Sequence, residues 1–474
     1  MKENLALLSD FYEFTMSNGF FAKNMTNEIA YFDVFFRKIP DNGGYAIFAG
    51  LEQIIDYIKN LHFEKDDIEF LKSTNKFTNE FLNYLSNFKF TGDIWAVPEG
   101  TVVFQNEPLI TVRAPIIEAQ ILETYLLLVV NHESLIATKS SRIVYSAKGR
   151  PVMEFGARRS HGESAAVLGA RAAMIGGCVG TSCTLTAKIF NVPALGTMAH
   201  SFVQSFDSEY EAFKAYAITY PDDCTLLIDT YDTLNSGIVN AIKVFNDVLV
   251  PNGYRPKGVR LDSGDLAYLS KKVRTILDEA GFPDCKICVS NSLDETLITS
   301  LFDQGAMIDS FGVGENLITA KSDPVFGGVY KLVAMEKDGQ IIPKIKISEN
   351  SIKITNPSFK KTFRFYDKGT SKALADVVAL YDEKIPNDKY LIFDPAEPWK
   401  EKTLENYIVK PLQKEIFKNG NLVYNSPSFL EICNYAKEQL ETLWPEIRRL
   451  ENPHKYYVDL SKKLWDLKNE MLKN

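Results

Sequence analysis

Histidine is scarce, five in 474 residues, and the six cysteines fall at no regular spacing. A secreted disulfide framework does not fit that pattern, and reduced thiols in a cytoplasm are expected. The one pair at motif spacing is Cys285-Lys286-Ile287-Cys288, inside an apolar run that reads as a strand. Residues three apart on a strand face opposite ways, which suits neither one metal ion nor a redox pair at a helix start. Long apolar runs are missing as well: the longest, Tyr125 to Val130, is far short of the ~20 residues of a spanning helix. Met1-Lys2-Glu3-Asn4-Leu5-Ala6 has no basic stretch leading into an apolar core, so no export signal is expected. Positive charge is not in excess. Fifty-three basic against sixty-one acidic residues give a net charge of −8, a field that repels a polyanion, so nucleic acid is not an expected partner. No low-complexity segment or fixed-period repeat interrupts the chain.

What is present is the composition of a globular protein, 45% apolar, 24% charged and 12% aromatic, long enough for roughly two to three domains. The first 115 residues mix helix and strand signals. A helix is predicted from Ser9 through Gly19, helical spacing runs from Ile47 to Leu61, and short strands separated by Pro and Gly turns fill Thr91 to Val112. Ile117 to Asn131 reads as an apolar helix leading into a second domain.

From about residue 150 the chain alternates short apolar strands with amphipathic helices. The candidate strands are Pro151 to Phe155, Ala194 to Met198, Leu226 to Ile228, Gly258 to Leu261, Lys286 to Ser290, Ala306 to Phe311 and Val329 to Val333. Repeated βα units favour a parallel sheet, either a closed barrel or an open doubly wound sheet. The barrel is favoured because nearly every strand is followed at once by chemically capable residues, and a barrel gathers all such ends on one face. Those residues are Arg158 and Arg159, His200, Asp229 and Asp232, Asp262 and Asp265, Asn291, then Gly312 and Gly314. Beyond residue 350 this cadence stops, and a C-terminal extension follows with helices near Ser428 to Leu440 and Val458 to Leu472.

Each candidate carries a plain structural reading beside the chemical one. Gly312-Val313-Gly314 lets backbone N–H groups approach an anion, or it is a tight turn; with Leu317 in the third glycine's place a dinucleotide fingerprint is weak. His200, at a strand end, is a candidate nucleophile, base or phosphate carrier, and a carboxylate from Ile228-Asp229-Thr230-Tyr231-Asp232 would orient its ring. Asp262 and Asp265 could hold ribose hydroxyls or Mg2+-bound waters, or cap a helix. The arginine forks of Arg158, Arg159 and Arg260 match carboxylate or phosphate, with a surface ion pair as the alternative.

Taken together, Leu8-Ser9-Asp10-Phe11-Tyr12, Glu154-Phe155-Gly156-Ala157-Arg158-Arg159, Gly196-Thr197-Met198-Ala199-His200-Ser201 and Arg260-Leu261-Asp262-Ser263-Gly264-Asp265 closely resemble the nicotinate phosphoribosyltransferase family, in that order. Asn452-Pro453-His454 and Val458-Asp459-Leu460-Ser461 extend the resemblance into the tail. It implies an α/β fold, an irregular TIM-like (β/α) barrel of the type II phosphoribosyltransferase kind over 116–350. An N-terminal α+β domain over 1–115, shared with a subunit interface, and an extension over 351–474 complete the expected chain. The implied reaction makes nicotinate mononucleotide and pyrophosphate from nicotinate and phosphoribosyl pyrophosphate, in NAD salvage. ATP is the implied co-substrate and Mg2+ the implied cofactor. His200 matches the histidine that ATP phosphorylates, and Asp229 the carboxylate that holds it. Tyr12 and Phe155 match aromatics that sandwich the pyridine ring, Tyr12 reaching in from the neighbouring subunit of a cytoplasmic homodimer. Arg158, Thr197 and Arg260 match nicotinate-site residues, Asp262 lies near the ribose, and Gly312, Gly314 and Thr319 hold the 5-phosphate. Glu315 departs from the small hydroxyl residue that many relatives carry. No side chain is singled out as a metal ligand.

Two further readings stay open. Nicotinamide phosphoribosyltransferases carry an acidic residue where this chain has Ser182 in Gly180-Thr181-Ser182; a carboxylate there would repel nicotinate, and serine would not. A catalytically silent phosphoribosyl-binding protein is the other, because a fold alone does not guarantee activity. Quinolinate phosphoribosyltransferase fits less well, being shorter and without the ATP-linked histidine.

Overall fold

The strand Ile29–Phe36 is buried at every position after the first, so it must lie inside a sheet covered on both faces. In the computed structural model, which describes residues 4–473, it is the third of seven strands. Their spatial order is Gln340–Pro343, Gly328–Lys337, Ile29–Phe36, Ile110–Pro115, Asp93–Ala96, Lys414–Lys418 and Asn421–Leu422, and every neighbouring pair is antiparallel. A four-stranded sheet follows the order Tyr407–Pro411, Lys360–Asp367, Ala373–Leu380 and Val458–Leu460, the last pair parallel.

Both sheets belong to one compact unit, residues 1–135 with 325–474; the second unit is 136–324. The expected segments 1–115 and 351–474 thus fall in one unit, and 116–135 and 325–350 join them. The division falls inside the helix Glu123–Ser146, which is preceded by the short helix Ile116–Ile121. Nearby expectations shift by a few residues. The first helix is Phe11–Ala22 with Asp10 at its N-cap position, and the second is Leu51–Asn60, after Ala46–Ile47 pairs as a strand. Of the tail helices, Phe429–Thr442 is capped by Ser428, and the other is Lys462–Lys473, because Val458–Leu460 pairs as a strand instead.

What ties the tail to the first unit is a buried charge cluster. Arg364 and Asp376 are both fully buried. Arg364 Nε donates to Asp376 Oδ1 at 2.8 Å and Nη2 to Oδ2 at 2.5 Å, while Tyr456 donates its hydroxyl to Oδ1 at 2.9 Å. Glu107 lies beside this pair; burial first, then the Asp376 charge, pushes its carboxyl well above the usual range, which favours the neutral form. Phe104 donates its backbone N–H to Glu107 at 2.9 Å, and the Phe104 ring stacks on Tyr456 at 3.9 Å. One cluster therefore joins the 104–107 turn, two sheet strands and the tail.

The second unit contains a five-stranded parallel sheet in the spatial order Val152–Glu154, Ser310–Val313, Lys286–Ser290, Gly258–Leu261, Thr225–Leu227. Alternation decides what each face does. Val152, Leu226, Val259, Leu261, Ile287, Val289, Phe311 and Val313 are all buried, whereas the opposite face carries Phe155, Arg260, Ser290 and Gly312.

The parallel α/β expectation holds here; the closed barrel does not. Among the described residues Ala194–Met198 forms no strand, and its one bridge joins Ala194 to Thr181, which bridges Glu154 in turn. Proline at 193 has no N–H to give a ladder, and the Met198 carbonyl accepts from a side chain, Arg260. Val329 to Val333 was expected in the same sheet. It lies instead in Gly328–Lys337, antiparallel to Ile29–Phe36 in the first unit.

Replacing Arg364 with Met leaves the Asp376 carboxylate buried without its cation, and should cost about 3–5 kcal/mol of stability in denaturant titration. Glu107→Gln should change stability by less than about 1 kcal/mol, since it replaces a neutral group by a neutral group. Equal losses in both variants would show Glu107 to be ionised.

Candidate active site

Three strand ends of the parallel sheet and the segment from Thr197 to His200 supply the polar groups, and Arg260 is their hub. It lies on the open face of Gly258–Leu261, and its guanidinium is held from three sides. Nε donates to Ser290 Oγ at 3.0 Å, Nη1 to Thr197 Oγ1 and to the Met198 carbonyl, each at 3.2 Å, and Nη2 to Asp262 Oδ1 at 3.3 Å. Ser290 donates in turn to the same Asp262 oxygen. A serine thus accepts from the cation and donates to the anion, fixing both.

Asp262 also lies beside His200, with Oδ2 3.7 Å from Nε2. The other ring nitrogen, Nδ1, is 3.1 Å from Thr230 Oγ1. His200 opens the short helix His200–Gln204, and its side chain is 38% exposed, open enough to meet a ligand. Asp229, expected to hold the imidazole, is bonded elsewhere. Its Oδ2 accepts from the Asp262 N–H at 2.9 Å and from Ser263 Oγ at 2.5 Å, while Oδ1 is buried without a hydrogen-bond partner. The carboxylate next to His200 is that of Asp262, and Asp229 fixes the turn that carries it.

The aromatic wall depends on a missing side chain. Gly312 pairs in register with Met153 and Ser290, and a Cβ on it would come within 2.4 Å of Phe155 Cδ2. The Phe155 ring therefore lies over the glycine. Gly314 is also close to this turn, where a Cβ would be 3.1 Å from the Phe155 carbonyl. Thr319 gives its hydroxyl to the Glu315 carbonyl at 2.8 Å, and the Glu315 carboxylate pairs with Lys321 at 2.8 Å and Arg159 at 3.9 Å. The side-chain bond and charge of Lys321 hold that carboxyl below the usual range. Arg158 is exposed. For Arg159 the surface ion pair is what the structure contains, and Asp265 and Asp232 are helix caps, accepting from Tyr268 N and from Leu234 and Asn235 N respectively. Asn291 adopts a left-handed backbone, φ 92°.

Tyr12 belongs to the first unit, on the opening turn of Phe11–Ala22. It is 47% exposed, beside Phe11 at 44% and with Leu8 and Met16 also exposed. Burial, then Glu123 and neighbouring carboxylates, push its phenol up to about 12.

All six cysteines are free. Burial raises the Cys288 thiol and pushes Cys285 up to about 12, which removes both as ready nucleophiles. Among the described residues, no group of three or more His, Cys, Asp or Glu side chains forms a metal site.

Sequence reasoning missed Thr230, Ser263 and Ser290. The signal for Ser290 was its two-residue spacing from Cys288, but only the register Gly312↔Ser290 and Arg260↔Cys288 shows that it reaches Arg260.

A parallel α/β sheet whose strand ends bring a guanidinium and carboxylates to the imidazole of a neighbouring helix is the arrangement of an enzyme binding an anionic ligand at its strand termini. The chain matches three family models, the nicotinate phosphoribosyltransferase N-terminal domain over 7–131, the nicotinate phosphoribosyltransferase family over 151–377 and its C-terminal domain over 359–468. It is 44% identical over 473 residues to a nicotinate phosphoribosyltransferase of Bacillus subtilis, covering 99% of this chain and 96% of that one. The crystal structure of human nicotinic acid phosphoribosyltransferase superposes with a TM-score of 0.84 at 28% identity, covering 98% of this chain and all of that one. A nicotinate-nucleotide pyrophosphorylase from Pyrococcus furiosus gives 0.71 at 25% identity, covering 92% and 95%. This chain belongs to the nicotinate phosphoribosyltransferase family.

Gly312→Ala must push the Phe155 ring aside, and should destabilise the protein by about 1–3 kcal/mol in denaturant titration. An unchanged midpoint would mean that the ring moves freely.

Proposed function

We propose that this enzyme joins nicotinate to the ribosyl carbon of phosphoribosyl pyrophosphate, and that ATP drives the reaction through a phosphorylated His200. The observation that carries the reading is Arg260, held on three sides at the strand ends with its partners already in place. A preorganised guanidinium meets a carboxylate without paying to order itself. The face of Phe155, flat over Gly312, offers a surface for an aromatic ring.

In the transfer step the pyridine nitrogen forms a bond to C1 of the ribose as the C1–oxygen bond to pyrophosphate breaks, the electron pair leaving with pyrophosphate. Positive charge grows on the sugar, and the carboxylate of Asp262 is the nearby group that stabilises it. The protein needs mainly to align the two atoms and exclude water. Bound Mg2+ would supply positive charge to the leaving pyrophosphate, and the unpartnered Asp229 Oδ1 is the group that would hold one of the waters around it.

In the ATP step an imidazole nitrogen of His200 attacks the terminal phosphorus, ADP departs with the bonding pair, and water later releases phosphate from the ring. Thr230 at Nδ1 and Asp262 near Nε2 hold the ring in one orientation. A phosphoryl group there adds about two negative charges beside Arg260 and Asp262, enough to reorganise that cluster between two states of the cycle.

Nicotinate rather than its amide is the substrate this reading favours. Ser182 is exposed, and its backbone N–H is committed to the Glu154 carbonyl at 2.8 Å. A hydroxyl there leaves a carboxylate ligand unopposed. Gly314 and Thr319 keep their proposed place around the 5-phosphate, and Arg158, exposed at the head of the same loop, keeps its place toward the substrate. The exposed apolar patch of Leu8, Phe11, Tyr12 and Met16 suits a homodimer in which Tyr12 completes the neighbouring site.

Product formation with nicotinate, nicotinamide and quinolinate, each with phosphoribosyl pyrophosphate and Mg2+, with and without ATP, tests this directly. Nicotinate mononucleotide should form faster with ATP, and His200→Ala should abolish that stimulation while basal turnover persists. Product from nicotinamide would overturn the reading of Ser182, and binding without product would support a silent module. Ser290→Ala should lower kcat/KM about 10–100-fold, by releasing Arg260 and Asp262 together. Unchanged kcat/KM would exclude Ser290 as a positioning residue.

A further inference from the structure

A cavity of the first unit, about 610 Å3, has no part in the chemistry above. Its walls come from the strands around Asp33 and Lys360 and from the tail, including His454 and the Val458-Asp459-Leu460 stretch singled out in the sequence. Most of its charges are satisfied locally. Lys360 pairs with Asp33, Lys400 with Glu397, and Lys455 with Asp394 at 3.3 Å.

Two of the charges shielded from solvent are not. Asp459 is 4% exposed and lines the cavity, yet its carboxylate has no hydrogen bond or ion pair among the described residues. Lys468, also on the wall, donates only to the neutral Asn356 carbonyl oxygen at 2.8 Å. The two form no ion pair with one another. A buried carboxylate without a partner costs several kcal/mol unless something supplies one. Burial, then the Asp394 charge, pushes Asp459 up to about 7 against the opposing pull of Lys455, and burial, then Lys360, pushes Lys468 down to about 8. The wall also includes the rings of Phe35 and Tyr457, with Lys402 over the latter at 5.6 Å.

We propose that this cavity is a second ligand site, taking a small amphoteric nucleotide whose cationic or N–H-bearing ring meets Asp459 and whose acidic group meets Lys468. A molecule of that composition is the pyridinium mononucleotide that the proposed reaction makes, and the choice of probe rests on that reading. Bound there, it would report product level away from the site of chemistry.

Equilibrium calorimetry with nicotinate mononucleotide on the full chain tests this. Two sites per chain are expected, one competed by phosphoribosyl pyrophosphate and one not. Asp459→Asn and Lys468→Met should each weaken the uncompeted site about tenfold or more while leaving the competed site and turnover unchanged. One site in the parent protein, or an uncompeted site that survives both substitutions, would overturn the proposal. The competed site reads the proposed function independently, so the two ideas fail separately. Should Asp459→Asn not fold, Lys468→Met, at a partly exposed helical position, decides alone.

Discussion

Parallel pairing of five strands is the constraint on which the rest of the second unit depends. Strands that run the same way end on the same edge, so residues at positions 155, 229, 260, 262 and 290, far apart in the chain, finish near one another. Alternation then separates duties. One face of Gly258–Leu261 buries Val259 and Leu261, and the other leaves Arg260 free to meet Ser290 and Thr197. The hydrophobic effect that packs helices on one side thereby aims polar groups to the other.

Within the site, charge is handed along a short relay. Asp229 fixes the backbone at Asp262; Asp262 faces Arg260, Ser290 and His200; Thr230 touches the far nitrogen of the imidazole. Such a network is strong while complete and costly once broken, most of all at Ser290 and Arg260, where water is least able to replace a lost partner. The first unit solves a different problem by similar means. Arg364, Asp376, Tyr456 and Glu107 place one buried cluster where three chain segments meet, which gives the tail a fixed place in that unit.

Much of this was legible in the residues. Gly258 to Leu261 and Lys286 to Ser290 were read to the residue, because short segments with apolar residues at alternate positions between polar turns admit little else. The site motifs were legible for the same local reason. Two strands were misread by one failure: Ala194 to Met198 and Val329 to Val333 have strand composition, but pairing depends on neighbours. In the first case proline removes a donor and Arg260 takes a carbonyl; in the second the partner is Ile29–Phe36, some 300 residues earlier. Asp265 and Asp262 illustrate the limit most clearly. Three residues apart and alike in chemistry, one caps a helix and the other faces His200.

The sequence by itself determined the class of fold, the family and the residue types available for chemistry, since these are carried by local pattern and by motifs that hold their order along the chain. Tertiary structure alone decided that the sheet is open, that Ser290 and Thr230 join the site, that Asp229 serves Asp262, and that the tail packs with the N-terminal strands. The reason is physical: propensity and spacing act over a few residues, whereas strand register, burial and the partner of a buried charge are set by segments hundreds of positions away.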